Sequence, residues 1–323
     1  MAINVATART TPSTTLPVYT APAGQTARLV ACSLLNIGGS SQNVTMQWRD
    51  VDASPPTTYN LLTAGQIRSK QTVFPLNRDL TLAPGDEFYA SPDTGSTDVM
   101  VAFDEDVELL ATTGHQISHT STTPTDLVSA GTSGVRVAFL AVTNSASQAE
   151  PFNLRFKNSD AVSPQLTDTH ICRQLYIPPG TIYFPLYGVL GLSAGDQLEA
   201  WGEGTTTTNL TATVTVEPQT SLRTTGYSLT SSMTQVASST TGTRRISYLS
   251  VCNVGGVPED FTFQLVDASR SNANTGIILE ASVPTGVTHF PLTGDVAMNA
   301  GDVMRASSSG NSLRLLITED LGG

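Results

Sequence analysis

One stretch spells a catalytic motif, Gly191-Leu192-Ser193-Ala194-Gly195. The pattern G-x-S-x-G is the nucleophile elbow, in which a strained strand-to-helix turn presents a serine hydroxyl for acyl transfer. An elbow needs a helix after its turn, and here Asp196-Gln197-Leu198-Glu199-Ala200-Trp201 alternates as a strand does. His115 and His119 are four apart, the spacing that sets two imidazoles on one helix face for a metal. They follow Gly114 among Ser and Thr, with no third ligand at matching spacing, so they read as solvated polar residues. Asp104, Glu105 and Asp106, with Glu108, could offer oxygen ligands to Ca²⁺. They lack the alternating D-x-D-x-D-G loop and read as a solvated strand end. His170 and His289 stand alone. The expectation is therefore no catalytic residue, no metal site, no cofactor and no enzyme.

The elements that would position these residues recur three times, and the recurrence explains most of them. Phe-Pro-Leu occurs at Phe74, Phe184 and Phe290, starts 110 and 106 residues apart. Eleven residues after each Phe comes Gly-Asp, at Gly85-Asp86, Gly195-Asp196 and Gly301-Asp302. Ser193 occupies the place of Ala83 and Asn299 in the other copies, so it is a variable turn position. The three aspartates have no second fixed acid beside them for general acid/base work, and are expected to hydrogen-bond their own turn. Upstream, Asn36, Asn144 and Asn253 each end an apolar run. Alternating strands Val44-Met46-Trp48, Phe152-Leu154-Phe156 and Phe261-Phe263-Leu265 begin eight residues later, and Asp50, Asn158 or Asp267 follows each one. Trp48 is expected in a core and Trp201, of opposite parity to Leu198, on a surface. The stretches between copies also match. Thr112-Thr113-Gly114 resembles Thr224-Thr225-Gly226, Arg9-Thr10-Thr11 resembles Arg223-Thr224-Thr225, and Glu105, Glu217 and Glu319 each close a last strand.

Composition agrees with strands and turns. The 323 residues carry a formal charge of -11, only 13% are charged, and Lys70 and Lys157 are the sole lysines. There are 47 Thr and 32 Ser, with 26 Gly and 18 Pro. An acidic chain with few lysines is a poor partner for nucleic acid. A hydrophobic fraction of 39% at so low a charge is not that of a disordered chain. No apolar run reaches membrane-spanning length, and the start lacks the basic and apolar regions of a signal peptide. Cys32, Cys172 and Cys252 show no metal or disulfide spacing and read as small buried hydrophobes.

In the first copy, strand candidates fall at about 26–36, 44–51, 58–62, 66–74, 86–91 and 98–105, with a leading strand near Leu16–Thr20. Short strands with a turn every 8–12 residues indicate an antiparallel sandwich or barrel. The fold expectation is all-β: three tandem antiparallel β-sandwich modules, jelly-roll or Ig-like, of one repeated fold with little helix. Each is an arm plus a sandwich, over 1–106, 107–217 and 218–323. Each arm could hand a strand to a neighbour, and three copies could mimic a trimer.

Pro22-Ala23-Gly24-Gln25-Thr26-Ala27-Arg28, then Asn36-Ile37-Gly38-Gly39, then Leu82-Ala83-Pro84-Gly85-Asp86 resemble β-sandwich modules of structural proteins in tailed-bacteriophage virions, both head decoration (cement) proteins and neck or tail accessory proteins. The second copy departs from the pattern, with Asn144-Ser145-Ala146-Ser147 in place of the Gly-Gly. The resemblance implies a non-enzymatic virion protein, made in a host cytoplasm without a signal peptide. Its partners would be a major capsid protein or neck and tail proteins, with self-association possible and with no nucleic acid or membrane. A capsid decoration subunit with a pseudo-threefold arrangement is the leading expectation. The alternatives are a neck, tail or host-contacting fibre component and, behind these, a cellular adhesin or carbohydrate-binding protein. A groove lined by Trp201 or tyrosines would favour the last.

Overall fold

The computed structural model describes residues 2–12, 16–76, 80–105, 111–117, 123–203, 209–219, 221–240, 242–270, 273–292 and 295–321. The first module holds β1 (Ala2–Thr10), β2 (Tyr19–Thr20), β3 (Ala27–Asn36), β4 (Gln42–Asp50), β5 (Thr57–Ile67), β6 (Thr72–Val73), β7 (Thr81–Leu82), β8 (Glu87–Pro92) and β9 (Thr97–Glu105). The second holds β10 (Ala111–Gln116), β11 (Thr125–Ser129), β12 (Val135–Asn144), β13 (Glu150–Lys157), β14 (Gln165–Leu166), β15 (Asp168–Ile177), β16 (Ile182–Tyr183), β17 (Leu190–Leu192), β18 (Gln197–Gly202) and β19 (Leu210–Pro218). The third holds β20 (Leu222–Ser228), β21 (Thr234–Ser238), β22 (Arg244–Asn253), β23 (Glu259–Asp267), β24 (Ala273–Val283), β25 (Thr288–His289), β26 (Val296–Met298), β27 (Val303–Ser308) and β28 (Leu313–Asp320). A single 3-10 turn, Ala268–Arg270, is the one helical element among the described residues.

In the first module one sheet runs β1-β9-β3-β6 and the other β2-β8-β4-β5, all antiparallel. Interleaving two sheets in this order, with β7 also paired to β3, is jelly-roll topology, which decides between the two sandwich types left open by the sequence. The same order recurs as β10-β19-β12-β16 with β11-β18-β13-β15, and as β20-β28-β22-β25 with β21-β27-β23-β24. We call the first sheet of each module its front sheet and the second its rear sheet. The alternating residues picked out by sequence supply the cores: Trp48, Phe156, Phe261 and Phe263 are fully buried between sheets.

Several local expectations shift. The arms are strands of their own sandwich and not connectors: β1 pairs with β9, β10 with β19 and β20 with β28. The sheet edge that is shared between modules is made by the short β14, whose Gln165 and Leu166 pair with Tyr227 and Gly226 of β20. The candidate 58–62 runs on to Ile67 as β5, which carries a two-residue bulge, Thr63-Ala64, opposite Thr45, and of the rest of 66–74 only Thr72–Val73 is a strand, β6. Register also moves two landmarks. Asn36, Asn144 and Asn253 pair with Thr97, Leu210 and Leu313. Counting on from there, Asp104, Glu217 and Asp320 are the equivalent acids, opposite Arg28, Arg136 and Arg245. By the same frame Arg223 matches Asn4, not Arg9. The expected boundary at 106 lies outside the described residues, and that at 217 falls within β19.

The modules stack head to tail. Along β3 burial alternates, with Ser33 and Leu35 half-exposed between buried Cys32, Leu34 and Asn36. At the same register β12 is buried without a break from Phe139 to Asn144, and β22 from Tyr248 to Asn253. A sheet with one solvated face alternates, and one covered on both faces does not. The second face of β12 and β22 is covered by the preceding module. A ring closed by three equivalent contacts would also cover the outer face of β3, so within one chain the stack is open and not a closed pseudo-threefold.

Candidate functional site

The elbow serine lies in the turn between β17 and β18, where its backbone N–H donates to Asp196 Oδ2 at 2.8 Å. Asp196 also accepts the N–H of Ser159 at 2.9 Å. In the first module Asp86 accepts the N–H of Ala83 at 3.0 Å, that of Val51 at 3.1 Å and Trp48 Nε1–H at 2.9 Å. In the third, Asp302 accepts the N–H groups of Asn299 and Ala268. Each buried carboxylate thus ties its own turn to the end of the neighbouring strand. Burial pushes the Asp86 and Asp196 carboxyls up from the usual range. The recurring asparagines do similar work: Asn36, Asn144 and Asn253 each donate from Nδ2 to two backbone carbonyls.

The acidic cluster named from sequence is divided by pairing. Asp104 sits 3.2 Å from the Arg28 guanidinium, and Glu105 accepts the Tyr19 hydroxyl at 2.7 Å. Asp106 and Glu108 lie outside the described residues, as does His119. His115 is on β10, with Nε2 3.0 Å from the Thr113 hydroxyl. A different cluster does form: carboxylate oxygens of Asp50, Asp52 and Asp86 lie within 4.8 Å of one another. Burial and the neighbouring Asp52 push the Asp50 carboxyl up to about 6. Asp50 and Asp86 were each marked by the repeat, but only the fold of the loop after β4 brings Asp52 beside them. Trp201 is buried, not exposed, at 7%. It packs edge-on to His170 at 5.8 Å with the Arg155 guanidinium 5.4 Å over its ring. All three cysteines are buried, and burial raises the Cys32 thiol to about 12 and the Cys252 thiol to about 11.

The most elaborate polar and apolar arrangement lies at the two junctions. Edge strand β5 packs on the front sheet of the second module, where Thr143 Oγ1–H donates to the Leu61 carbonyl at 2.9 Å. Phe139 and Ala141 join the first module's apolar cluster there. Edge strand β15 does the same to the third module. Thr288 donates its hydroxyl to the Ile171 carbonyl, and Tyr248 and Leu316 join the second module's cluster. Leu61 and Ile171 are equivalent by register. Close approach requires glycine on the arm strands. A methyl group at Gly114 would lie 2.1 Å from Cε1 of Tyr59, and one at Gly226 would lie 1.7 Å from Oγ1 of Thr169. Tyr59 and Thr169 are again equivalents. The Phe of the second and third Phe-Pro-Leu belongs here as well. Phe184 packs edge-on to Phe139 at 6.1 Å, and Phe290 to Tyr248 at 6.3 Å.

At the second junction a cleft of about 580 Å³ opens between modules, with Tyr183, Tyr187, Tyr248, His289 and Phe290 in its wall. Tyr187 is half-exposed and stacks at a tilt on Phe290 at 4.7 Å. Sequence reasoning missed this cleft because its tyrosines come from two modules. Among the described residues no helix is long and apolar enough to cross a membrane.

No family model matches the chain, and no curated protein matches it. Among solved structures it is similar to a chain from work on the triple jelly roll fold and turret assembly of an archaeal virus, 13% identical over 91% of this chain and 78% of that one, TM-score 0.21. A tandem CBM22 domain of Paenibacillus barcinonensis Xyn10C is 9% identical over 62% of this chain and 80% of its own, TM-score 0.21. The major capsid protein P2 of bacteriophage PM2 is 13% identical over 65% of this chain and 96% of its own, TM-score 0.27.

Proposed function

We propose that the chain is a non-enzymatic structural protein of a virion, a capsid decoration or cement subunit whose jelly rolls contact neighbouring shell proteins. The observation that carries this reading is three jelly rolls in one chain, stacked through buried junctions into a single scaffold. Jelly rolls recur in viral capsids and in lectins, and a fold alone does not fix a function. What favours a structural role is where the recurring polar residues go: Asp86, Asp196 and Asp302 close turns, and Thr143 and Thr288 close junctions. A surface with two lysines in 323 residues suits burial against protein neighbours more than steering of charged ligands. A neck, tail or host-contacting position would use the same scaffold. Mass spectrometry of particles purified from cells expressing the encoding genome tests the reading. The chain should be present in stoichiometric amount, and its absence from particles would refute the virion role. Cryo-electron microscopy of the particles would distinguish shell from neck or tail.

A second reading, carbohydrate binding, is favoured by the tyrosine-lined cleft alone. It is tested on a glycan array with wild type and Tyr187→Ala. Signal lost in the variant supports it, and a blank array removes it.

A further inference from the structure

The front sheet of the first module is the counterpart of the two buried front sheets, and nothing among the described residues covers it. Phe74 is 72% exposed, whereas its equivalents Phe184 and Phe290 pack on the preceding module. Val5 is 60% exposed and Met100 is 42% exposed, whereas Leu316, at the register of Met100, is fully buried in the junction. A groove of about 540 Å³ runs across this face past Thr7, Leu35, Thr72 and Met100. At the other end of the stack, β24 is the counterpart of β5 and β15, the strands that press on a following module. Among the described residues no further jelly roll packs on it.

We propose that these two ends fit each other, so that a second copy of this chain docks its β24 edge on the first module's front sheet by the contact already repeated twice inside the chain. The two ends depart from the repeat in matched pairs. At both internal junctions glycine on the arm strand (Gly114, Gly226) meets a side chain on the edge strand (Tyr59, Thr169). At the free ends the arm strand carries Thr7 in the place of glycine, and the edge strand carries Gly276 in the place of the side chain. The size is exchanged and the close approach is preserved. A second pair behaves alike. Gly180 and Gly286 lie under the bulges Thr63-Ala64 and Arg173-Gln174 of the preceding module. Their counterpart in the first module is Lys70, whose N–H donates to Asn36 as theirs donate to Asn144 and Asn253. In β24 the two-residue bulge is absent and Glu280 alone stands there, paired with Thr262. The larger residue therefore meets the shorter strand. Thr72, at the register of Thr288, has a hydroxyl placed to donate to the carbonyl of Ile278, the counterpart of Ile171. Such a contact is heterologous, so copies add head to tail and either close a ring or extend.

Sedimentation velocity of the full chain over a concentration series tests the fit. Wild type should show a sedimentation coefficient that rises with concentration. Met100→Arg blocks one end and Gly276→Arg the other, and each should sediment as a concentration-independent monomer. Circular dichroism and thermal melts like wild type show that the variants are folded. An equimolar mixture of the two should form dimers and nothing larger, because one intact front meets one intact β24 edge. A monomeric wild type at all concentrations overturns the proposal. Association that survives both arginine variants overturns it as well.

Discussion

Replacing Leu316 with alanine tests whether the junctions are packed cores and not mere abutment. Leu316 belongs by sequence to β28 of the third module, yet its side chain is fully buried in the second module's apolar cluster. Removing a buried leucine to alanine costs about 2–5 kcal/mol, and sites that can collapse fall at the low end. The cavity here would open between two modules that can settle toward each other, so about 2–3 kcal/mol is expected. That corresponds to roughly a 30- to 150-fold increase in the equilibrium for opening the junction. Met100 sits at the same register of the first module and is 42% exposed, so Met100→Ala should cost below about 1 kcal/mol. Hydrogen exchange is the suitable assay, because three modules need not unfold in one step and local opening is what is sought. In Leu316→Ala, protection should fall in β15 of the second module as well as in β28. In Met100→Ala, protection outside the first module should stay unchanged. Loss confined to the third module, or equal effects of the two variants, would refute the packed junction.

Three further outcomes follow from the geometry. Gly114→Ala should destabilise the first junction by about 1–3 kcal/mol by overpacking Tyr59, whereas Thr7→Ala at the equivalent place should be within about 0.5 kcal/mol in a thermal melt of the dilute chain. Asp196→Ala should cost about 1–3 kcal/mol in denaturant unfolding by leaving the Ser193 and Ser159 N–H groups without their acceptor, and Ser193→Ala should be nearly silent. His170 is held down to about 4 by burial and by Arg173, Arg155 and Arg314, against the opposing pull of Asp168. Between that value and the ordinary 6.5 the unfolded chain binds a proton that the native chain does not. Stability of the β15 region should therefore fall as pH drops from 6.5 toward 4, and His170→Gln should flatten the dependence in pH-stepped melts.

Much of the architecture was written in the order of residues. Turn chemistry is local, so Gly-Asp after a fixed interval marked the same hairpin three times, and alternation at Val44, Phe152 and Phe261 marked the same buried strand. The equivalence of Ser193 with Ala83 and Asn299 was enough to remove the elbow from consideration, and the pairing of Asp196 with that turn agrees. Register, strand partners and docking were not legible in this way. A strand's alternation tells which residues share a face, but whether that face meets solvent or another module depends on chain segments more than a hundred residues away. Phe74, Phe184 and Phe290 each open the same Phe-Pro-Leu triplet, and one is exposed while two are covered. Gly114 and Gly226 looked like parts of a polar arm until Tyr59 and Thr169 were found against them. Trp201 looked exposed by parity and is buried under Arg155 and His170 from neighbouring strands. Three β-sandwich modules and the turns that close them were readable from the chain alone, because those depend on near neighbours along it. Jelly-roll order and the head-to-tail stack came from the fold, because those depend on which surfaces meet.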